Sequence, residues 1–418
     1  MKPGSRTGAL SAHLQPGHHV FVAGLSGESA LLREELSGDP ERAAGVEFTS
    51  VQLPGVDRTD YLQLHPASRL RGFFMTAALR AGLAERRAAL HPLDYPGIAR
   101  HLIESDPFDS VIAQFTPPDD NGWCSPGLSA DFAPLVWSRA KYRVGHLNSR
   151  LPRLSSSFRV HVSEFDDVVE CESELLDVAS PKPSRVNETI GRHAANLVRD
   201  DDTLQFGIGS VLPEVARALH AHRRLRIHSG MIASFVETMW DSGALDRDTS
   251  IVTGVVLGPP DFYDYAGRLG RIHLCDVRET HDVASVARIS RFVALNSAAE
   301  VDLFGQINSE RSNGTIQSGA GGLPAFAEAS QIAPGGRLVI CLPATARQGQ
   351  YSRIVPALDA NAVCTVPRYL ADAVVTEFGV AELRGRSIDA RAEALISIAA
   401  PFVRKHLAAS WEEMRRRF

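Results

Sequence analysis

The sequence predicts an α/β protein made of two open, largely parallel domains. Three observations carry that prediction. Short β-type runs alternate with helix-patterned segments along the whole chain, several runs end in Gly, Ser or Asn, and one Pro/Ser stretch interrupts the alternation near the middle. At 418 residues the chain also exceeds what a single hydrophobic core usually organises.

The first element is the run HHVFVAG, Val20 to Gly24, a strand stopped by glycine. LSGESALLREEL then reads as the start of a helix, completing a βα step. The step recurs at SVIAQF (Ser110 to Phe115) before TPPDDNGWCSPG, and at YRVGHLN before SRLPR. FRVHVSEFDDVVE and CESELL close the first half. SPKPSRVNE has no apolar periodicity and reads as a linker. Beyond it ETIGRHAANLVR reads as a helix, TLQFGIG as a strand and glycine turn, and LPEVARALHAH as a second helix. RFVALNS, RLVICLPA and AVVTEFG before VAELRG supply the later βα steps. The resulting division is a flexible N-terminus over 1–18, an N-terminal domain over 19–180, a linker over 181–188 and a C-terminal domain over 189–418. In open sheets of this kind ligands bind beyond the carboxyl ends of strands, so the loops after the strands are where chemistry belongs.

Composition narrows the function classes. Apolar residues make up 44% and charged residues 22%, as in an ordinary globular protein, and a net charge of −5 without a basic stripe argues against nucleic-acid binding. No run of about 18 apolar residues suits a membrane span. Five scattered cysteines without C-x-x-C spacing fit neither a disulfide framework nor a structural zinc site. The histidines lack H-x-x-x-H or H-E-x-x-H spacing, so no catalytic metal is expected. The first residues lack the apolar stretch of a signal peptide, which predicts a cytoplasmic protein. Among 44 basic residues only Lys2, Lys141, Lys182 and Lys405 are lysines. Any bound phosphate then falls to Arg or to backbone N–H groups.

Taken singly the motifs are ambiguous. Gly319, Gly321 and Gly322 in NGTIQSGAGGLPAF could converge backbone N–H groups on an oxyanion or a phosphate, or could simply form a tight turn. Gly207 and Gly209 in TLQFGIGSVLPEV resemble half a dinucleotide fingerprint but lack its third glycine and distal acid, so a close strand–helix turn is the better reading. TPPDDNGWCSPG is either a surface turn or a binding loop. His228 and Ser229, placed on a helix, would not face each other, and Cys275 and Cys341 sit in apolar runs where cysteine is inert.

Together, TPPDDNGWCSPG, LNSRLPR, DTLQFGIGSVLPEV, LNSAAEVDLFGQINSE, SGAGGLPAF, SRIVPAL and VVTEFGVAELRGRS resemble the acetyl-CoA hydrolase/transferase family, in family order from Val20 to Leu407. The resemblance implies two α/β domains with the active site between them, a homodimer, acyl-CoA as substrate, and no cofactor beyond coenzyme A itself. It also implies ping-pong chemistry on a glutamate carried in a His-Ser/Thr-Glu-Met motif. Here that stretch reads His228, Ser229, Gly230, Met231, so Gly230 stands at the glutamate's place. The family's GGQ-x-DF likewise becomes GGLPAF, with Leu323 and Pro324. Glu237 lies seven positions on, too far to replace the glutamate without rebuilding the site, and Glu300 and Glu377 read as structural or pocket-lining.

The expectation that follows is an acyl-CoA-utilising transferase passing its acyl group directly to a small-molecule amine or alcohol, with His228 or Glu237 as candidate base and Gly319, Gly321 and Gly322 as oxyanion loop. The alternatives are CoA transfer to a carboxylate, hydrolysis, and acyl-CoA binding without catalysis. By resemblance, CoA contacts fall among Asn296, Gln306, Gly349, Ser352 and Arg353.

Overall fold

The computed structural model describes residues 9–312, 314–347 and 349–417. Two sheets organise them. The first has seven strands in the order Asp167–Glu170, Arg143–Leu147, Ser110–Phe115, His19–Val22, Glu47–Thr49, Arg69–Gly72, Ala88–Leu90, and every pairing is parallel. Ser110–Phe115 is buried along its whole length, as expected of a central strand with helices on both faces.

The second sheet has nine strands: Gly379–Glu382, Ala373–Thr376, Arg337–Cys341, Phe292–Asn296, Thr203–Phe206, Arg226–Ala233, Ile251–Leu257, Ile272–Leu274 and Ser155–Ser156. Only the edge pair Ala373–Thr376 with Gly379–Glu382 is antiparallel. The α/β reading is therefore confirmed. Strand order reverses between Thr203–Phe206 and Phe292–Asn296, a topological switch point where an open sheet leaves a crevice at its carboxyl edge.

The halves are stitched together. Ser155–Ser156 pairs with His273–Leu274 at the far edge of the second sheet. Single bridges join Ser129 to Val255, Asp131 to Asp276 and Asp94 to Gly321. Of the expected flexible N-terminus, residues 1–8 lie outside the described residues. Leu10 is fully buried, and the Leu10 and Ser11 N–H groups both donate to the Glu35 carboxylate at 3.0 Å.

Two local readings need correction. His228 and Ser229 lie on the strand Arg226–Ala233, not on a helix, and Ser229 Oγ donates to the Phe206 carbonyl at 3.0 Å. CESELL forms no regular element. TPPDDNGWCSPG resolves as a turn, its Asp119 carboxylate accepting from the Asn121 and Trp123 N–H groups at 2.9 Å, with Trp123–Cys124 paired to Val160–His161.

Candidate active site

The crevice at the switch point opens into a cavity of about 410 Å³. Its floor is the carboxyl edge of the second sheet: Gln205 to Ile208, Gly230 and Met231, and Asn296 to Ala299. Leu25, Leu53, Val56, Phe74 and Tyr95 come from the first half, so the cavity lies between the two halves as the resemblance implies. Gly319 to Leu323 close it. The walls are mostly apolar, which suits an acyl group.

The glycine loop is held from both sides. Gly321 has φ +63°, a left-handed conformation that favours glycine, and its carbonyl accepts from the Tyr95 N–H at 3.1 Å. A Cβ on Gly319 would lie 2.5 Å from the Phe73 carbonyl oxygen, so this glycine permits close packing against the first half. Gly322 caps the helix Leu323–Ile332, whose second residue is Pro324.

Gly230 sits in the cavity wall, and the space beside it is filled. A Cβ built there would fall 2.5 Å from Cε1 and 2.6 Å from Nε2 of His281. A Cβ on Gly322 would also collide with His281 Nε2. The imidazole is thus wedged between two glycines of the cavity wall. It is only 3% exposed, and its ring lies 4.3 Å from Tyr95 and 4.6 Å from Phe326. His281 Nδ1 is 2.9 Å from Thr280 Oγ1, which in turn donates to the Asp276 carbonyl at 3.2 Å. Burial, and secondarily the nearby His228, pushes the His281 pKa down to about 3. Sequence reasoning missed this residue because a lone His in DVRETHD carries no motif.

The expected base candidates sit elsewhere. His228 does not line the cavity; its Nε2 meets the Thr280 carbonyl at 3.3 Å, and burial lowers its pKa. Glu237 lies on the helix Phe235–Asp241, beyond the end of the strand, and does not line the cavity either. There it helps oppose ionisation of Tyr265, after burial and Asp241.

The expected CoA contacts divide in two. Asn296 lines the cavity and donates through Nδ2 to Gln205 Oε1 at 2.7 Å, and its Oδ1 lies where a Cβ on Gly207 would be. Ser352 and Arg353 line a second cavity of about 640 Å³, with Arg311, Arg347 and Tyr351. Ala299 lines both cavities, so the two adjoin. Arg347 lies over the Tyr351 ring at 5.1 Å, and Arg353 Nε is buried without a partner among the described residues. Gly349, at φ +90°, falls in the turn between Arg347 and Tyr351. Gln306 lines neither cavity; its Nε2 donates to Asp302 at 2.7 Å and fixes a turn. Glu300 lines the second cavity, and Glu377 accepts from the Ala344 N–H at 2.8 Å. Among the described residues no group of three or more His, Cys, Asp or Glu could hold a metal ion.

An apolar cavity beside an arginine-lined one, at the switch point of a two-sheet α/β fold, is a site with room for an apolar acyl group next to guanidinium groups that suit phosphate. Comparison with known proteins agrees. Residues 258–411 match the family model for the acetyl-CoA hydrolase/transferase C-terminal domain. The chain is 34% identical to a 4-hydroxybutyrate coenzyme A transferase of Clostridium kluyveri over 96% of its own length and 94% of the relative's. It is 30% identical to a succinyl-CoA:cyclohexane-1-carboxylate CoA transferase of Geobacter metallireducens, over 84% and 82%. The crystal structure of a 4-hydroxybutyrate CoA-transferase from Porphyromonas gingivalis superimposes with a TM-score of 0.78 at 27% identity, covering 97% and 95%. The chain belongs to the acetyl-CoA hydrolase/transferase family.

Proposed function

We propose that this protein moves coenzyme A between an acyl-CoA and a carboxylic acid. The observation that carries this reading is the pair of adjoining cavities, one apolar and glycine-closed, the other lined by Arg311, Arg347, Arg353 and the exposed face of Tyr351. The acyl group would occupy the first. The phosphates and adenine of CoA suit the second, where guanidinium groups bind phosphate and an aromatic ring stacks on a base. The resemblance implies a homodimer as the working assembly. The likeness to CoA transferases over nearly the whole chain favours this reaction over direct transfer to an amine or alcohol.

Position 230 offers no side chain, so the acceptor's own carboxylate takes the role of nucleophile. It attacks the thioester carbonyl, the CoA thiolate leaves, and a mixed anhydride remains. The thiolate then attacks the acceptor-derived carbonyl and releases the first acyl group as its carboxylate. Backbone N–H groups of the loop Gly319, Gly321 and Gly322 would hold the oxyanion of each step, while the apolar walls keep water out. Initial-rate kinetics test this. Intersecting double-reciprocal plots and no CoA–protein thioester are expected. Parallel plots with a trappable thioester would overturn the route.

A second reading, direct acyl transfer to a protic acceptor, is favoured by one observation, the imidazole of His281 packed against Gly230 and Gly322 in the cavity wall.

A further inference from the structure

The wall that the first half contributes to the acyl cavity is built from two loops. One follows the strand His19–Val22 and supplies Leu25; the other follows the neighbouring strand Glu47–Thr49 and supplies Leu53, Pro54 and Val56. Two carboxylates tie these loops together, each reaching across from its own loop to the other. Asp57, on the second loop, accepts from the Leu25 N–H through Oδ1 and from the Leu53 N–H through Oδ2, both at 2.7 Å. Glu28, on the first, accepts from the Arg58 N–H through Oε2 at 2.9 Å and from the Thr59 hydroxyl through Oε1. Neither carboxylate lines the cavity.

The tie fixes a conformation that the chain would not hold unaided. Leu25 has φ +54°, a left-handed backbone that a bulky residue rarely adopts. Such strain persists only where the surroundings over-determine it, and the Leu25 N–H is the one that Asp57 holds. A Cβ on Gly24 would lie 3.1 Å from both Asp57 Oδ1 and Ser50 Oγ, so glycine at 24 lets the loops come this close. Hydrogen bonds to an ionised carboxylate are roughly twice as strong as neutral ones, and Asp57 uses both oxygens for them. An apolar wall pinned in this way does not retreat before a longer acyl chain.

We propose that Asp57, with Glu28 as its counterpart, is a positioning residue that sets acyl-group selectivity: it holds the wall of Leu25, Leu53, Pro54 and Val56 in place, so that the cavity admits apolar acyl chains up to a fixed length and rejects longer ones. The proposal rests on the reading of the apolar cavity as the acyl site. The tie is complete only when Asp57 is ionised, because a protonated oxygen is a poor acceptor. Burial, joined by the Glu28 charge, pushes the Asp57 pKa up to about 7 against the two backbone bonds. The titratable and charged groups around it are Glu28, Tyr61, Tyr95 and Asp131, with Arg33 3.8 Å from Glu28. Selectivity therefore sharpens as pH rises through that value.

The experiment measures binding of unreactive S-alkyl thioethers of CoA, from ethyl to dodecyl, by calorimetry, which does not depend on the reaction that follows. In the parent, affinity should rise about fourfold per methylene while the chain enters the cavity. Beyond the length that fills it, affinity should fall about tenfold or more, the scale of overpacking. Asp57→Asn exchanges one acceptor oxygen for a donor; it should move this turning point to longer chains while free CoA binds as in the parent. Glu28→Gln should move it in the same direction. Measurements on the parent at pH 6 and pH 8 need no variant to fold, and the turning point should be sharper at pH 8. That pH dependence should disappear in Asp57→Asn and survive in Asp131→Asn. An unmoved turning point in Asp57→Asn, equal weakening of CoA and every thioether, or a parent with no turning point or no pH dependence would overturn the proposal. So would a pH dependence lost in Asp131→Asn and kept in Asp57→Asn. Exchange of CoA onto an added carboxylate is assayed in parallel. No exchange beside an intact turning point would overturn CoA transfer and keep this proposal, and exchange without a turning point would do the reverse.

Discussion

Gly230 and His281 have to be read as a pair, since neither residue explains itself alone. A methyl group at 230 would press on the imidazole edge, and overpacking of this kind costs about 1–3 kcal/mol. Gly230→Ala is therefore expected to lower thermal stability by that order and to reduce turnover. Gly230→Ala combined with His281→Ala should destabilise less than the sum of the two singles, because the cavity left by one accepts the methyl of the other. Additive losses in a thermal-melt cycle would contradict the contact. Asp131 tests the electrostatics nearby. Burial, then Asp276 and Asp57, raises its pKa to about 8, and its charge in turn opposes ionisation of the buried Tyr95 phenol. Between pH 4 and pH 8 the folded chain thus holds a proton that the unfolded chain has lost, so this group's contribution to stability declines as pH rises. Relative to the parent, Asp131→Asn should gain on the order of a few °C in melting temperature from pH 5 to pH 8. A constant offset across that range would argue against a raised Asp131. The sign is opposite for His281. Its folded pKa near 3 lies below the ordinary 6.5, so its contribution is lost as pH falls through that window.

At the scale of elements, the glycine loop and the arginine-lined turn make separable contributions. Gly321 adopts φ +63°, where a β-branched residue is strained, while a Cβ there would meet only Phe74, at 3.5 Å. Gly321→Val is expected to cost about 1–3 kcal/mol in backbone strain and to abolish turnover with the fold retained, as read by circular dichroism alongside the activity assay. Full turnover would remove the loop from the mechanism. Arg347 is exposed and stacked on Tyr351, so Arg347→Ala should raise KM for acyl-CoA about tenfold, with kcat little changed, if it binds phosphate. A loss confined to kcat would place it at the chemistry instead. The sequence made the loop visible through its glycines. It could not separate a packing glycine from an oxyanion glycine, and the structure shows Gly319 packed tightly on Phe73. Gln306 belongs to a turn built around Asp302, a role that spacing does not reveal.

Over the whole molecule, the two sheets are cross-linked by the strand Ser155–Ser156 and by the bridges at Ser129, Asp131 and Asp94. Heating should therefore give one cooperative calorimetric transition, and a bound acyl-CoA analogue should shift all of it. Two resolved transitions, only one of them moved by the analogue, would show that the halves unfold independently. No helix among the described residues is long and apolar enough to cross a membrane.

The alternation of strands and helices, the position of the glycine loops and the family resemblance were all determined by the sequence alone. They depend on local periodicity and on ordered motifs that survive without coordinates. What only the tertiary structure decided is which groups meet at the reacting centre. His281 and Gly230 are far apart in the chain, and their contact exists because strand order brings Arg226–Ala233 beside Ile251–Leu257 and the short helix Val277–Thr280 leads His281 back over that edge. Glu237, near in sequence, is carried away by the same geometry: a strand side chain alternates faces, and the helix that follows turns off the cavity wall. Proximity across a fold follows from topology, which one-dimensional spacing does not encode.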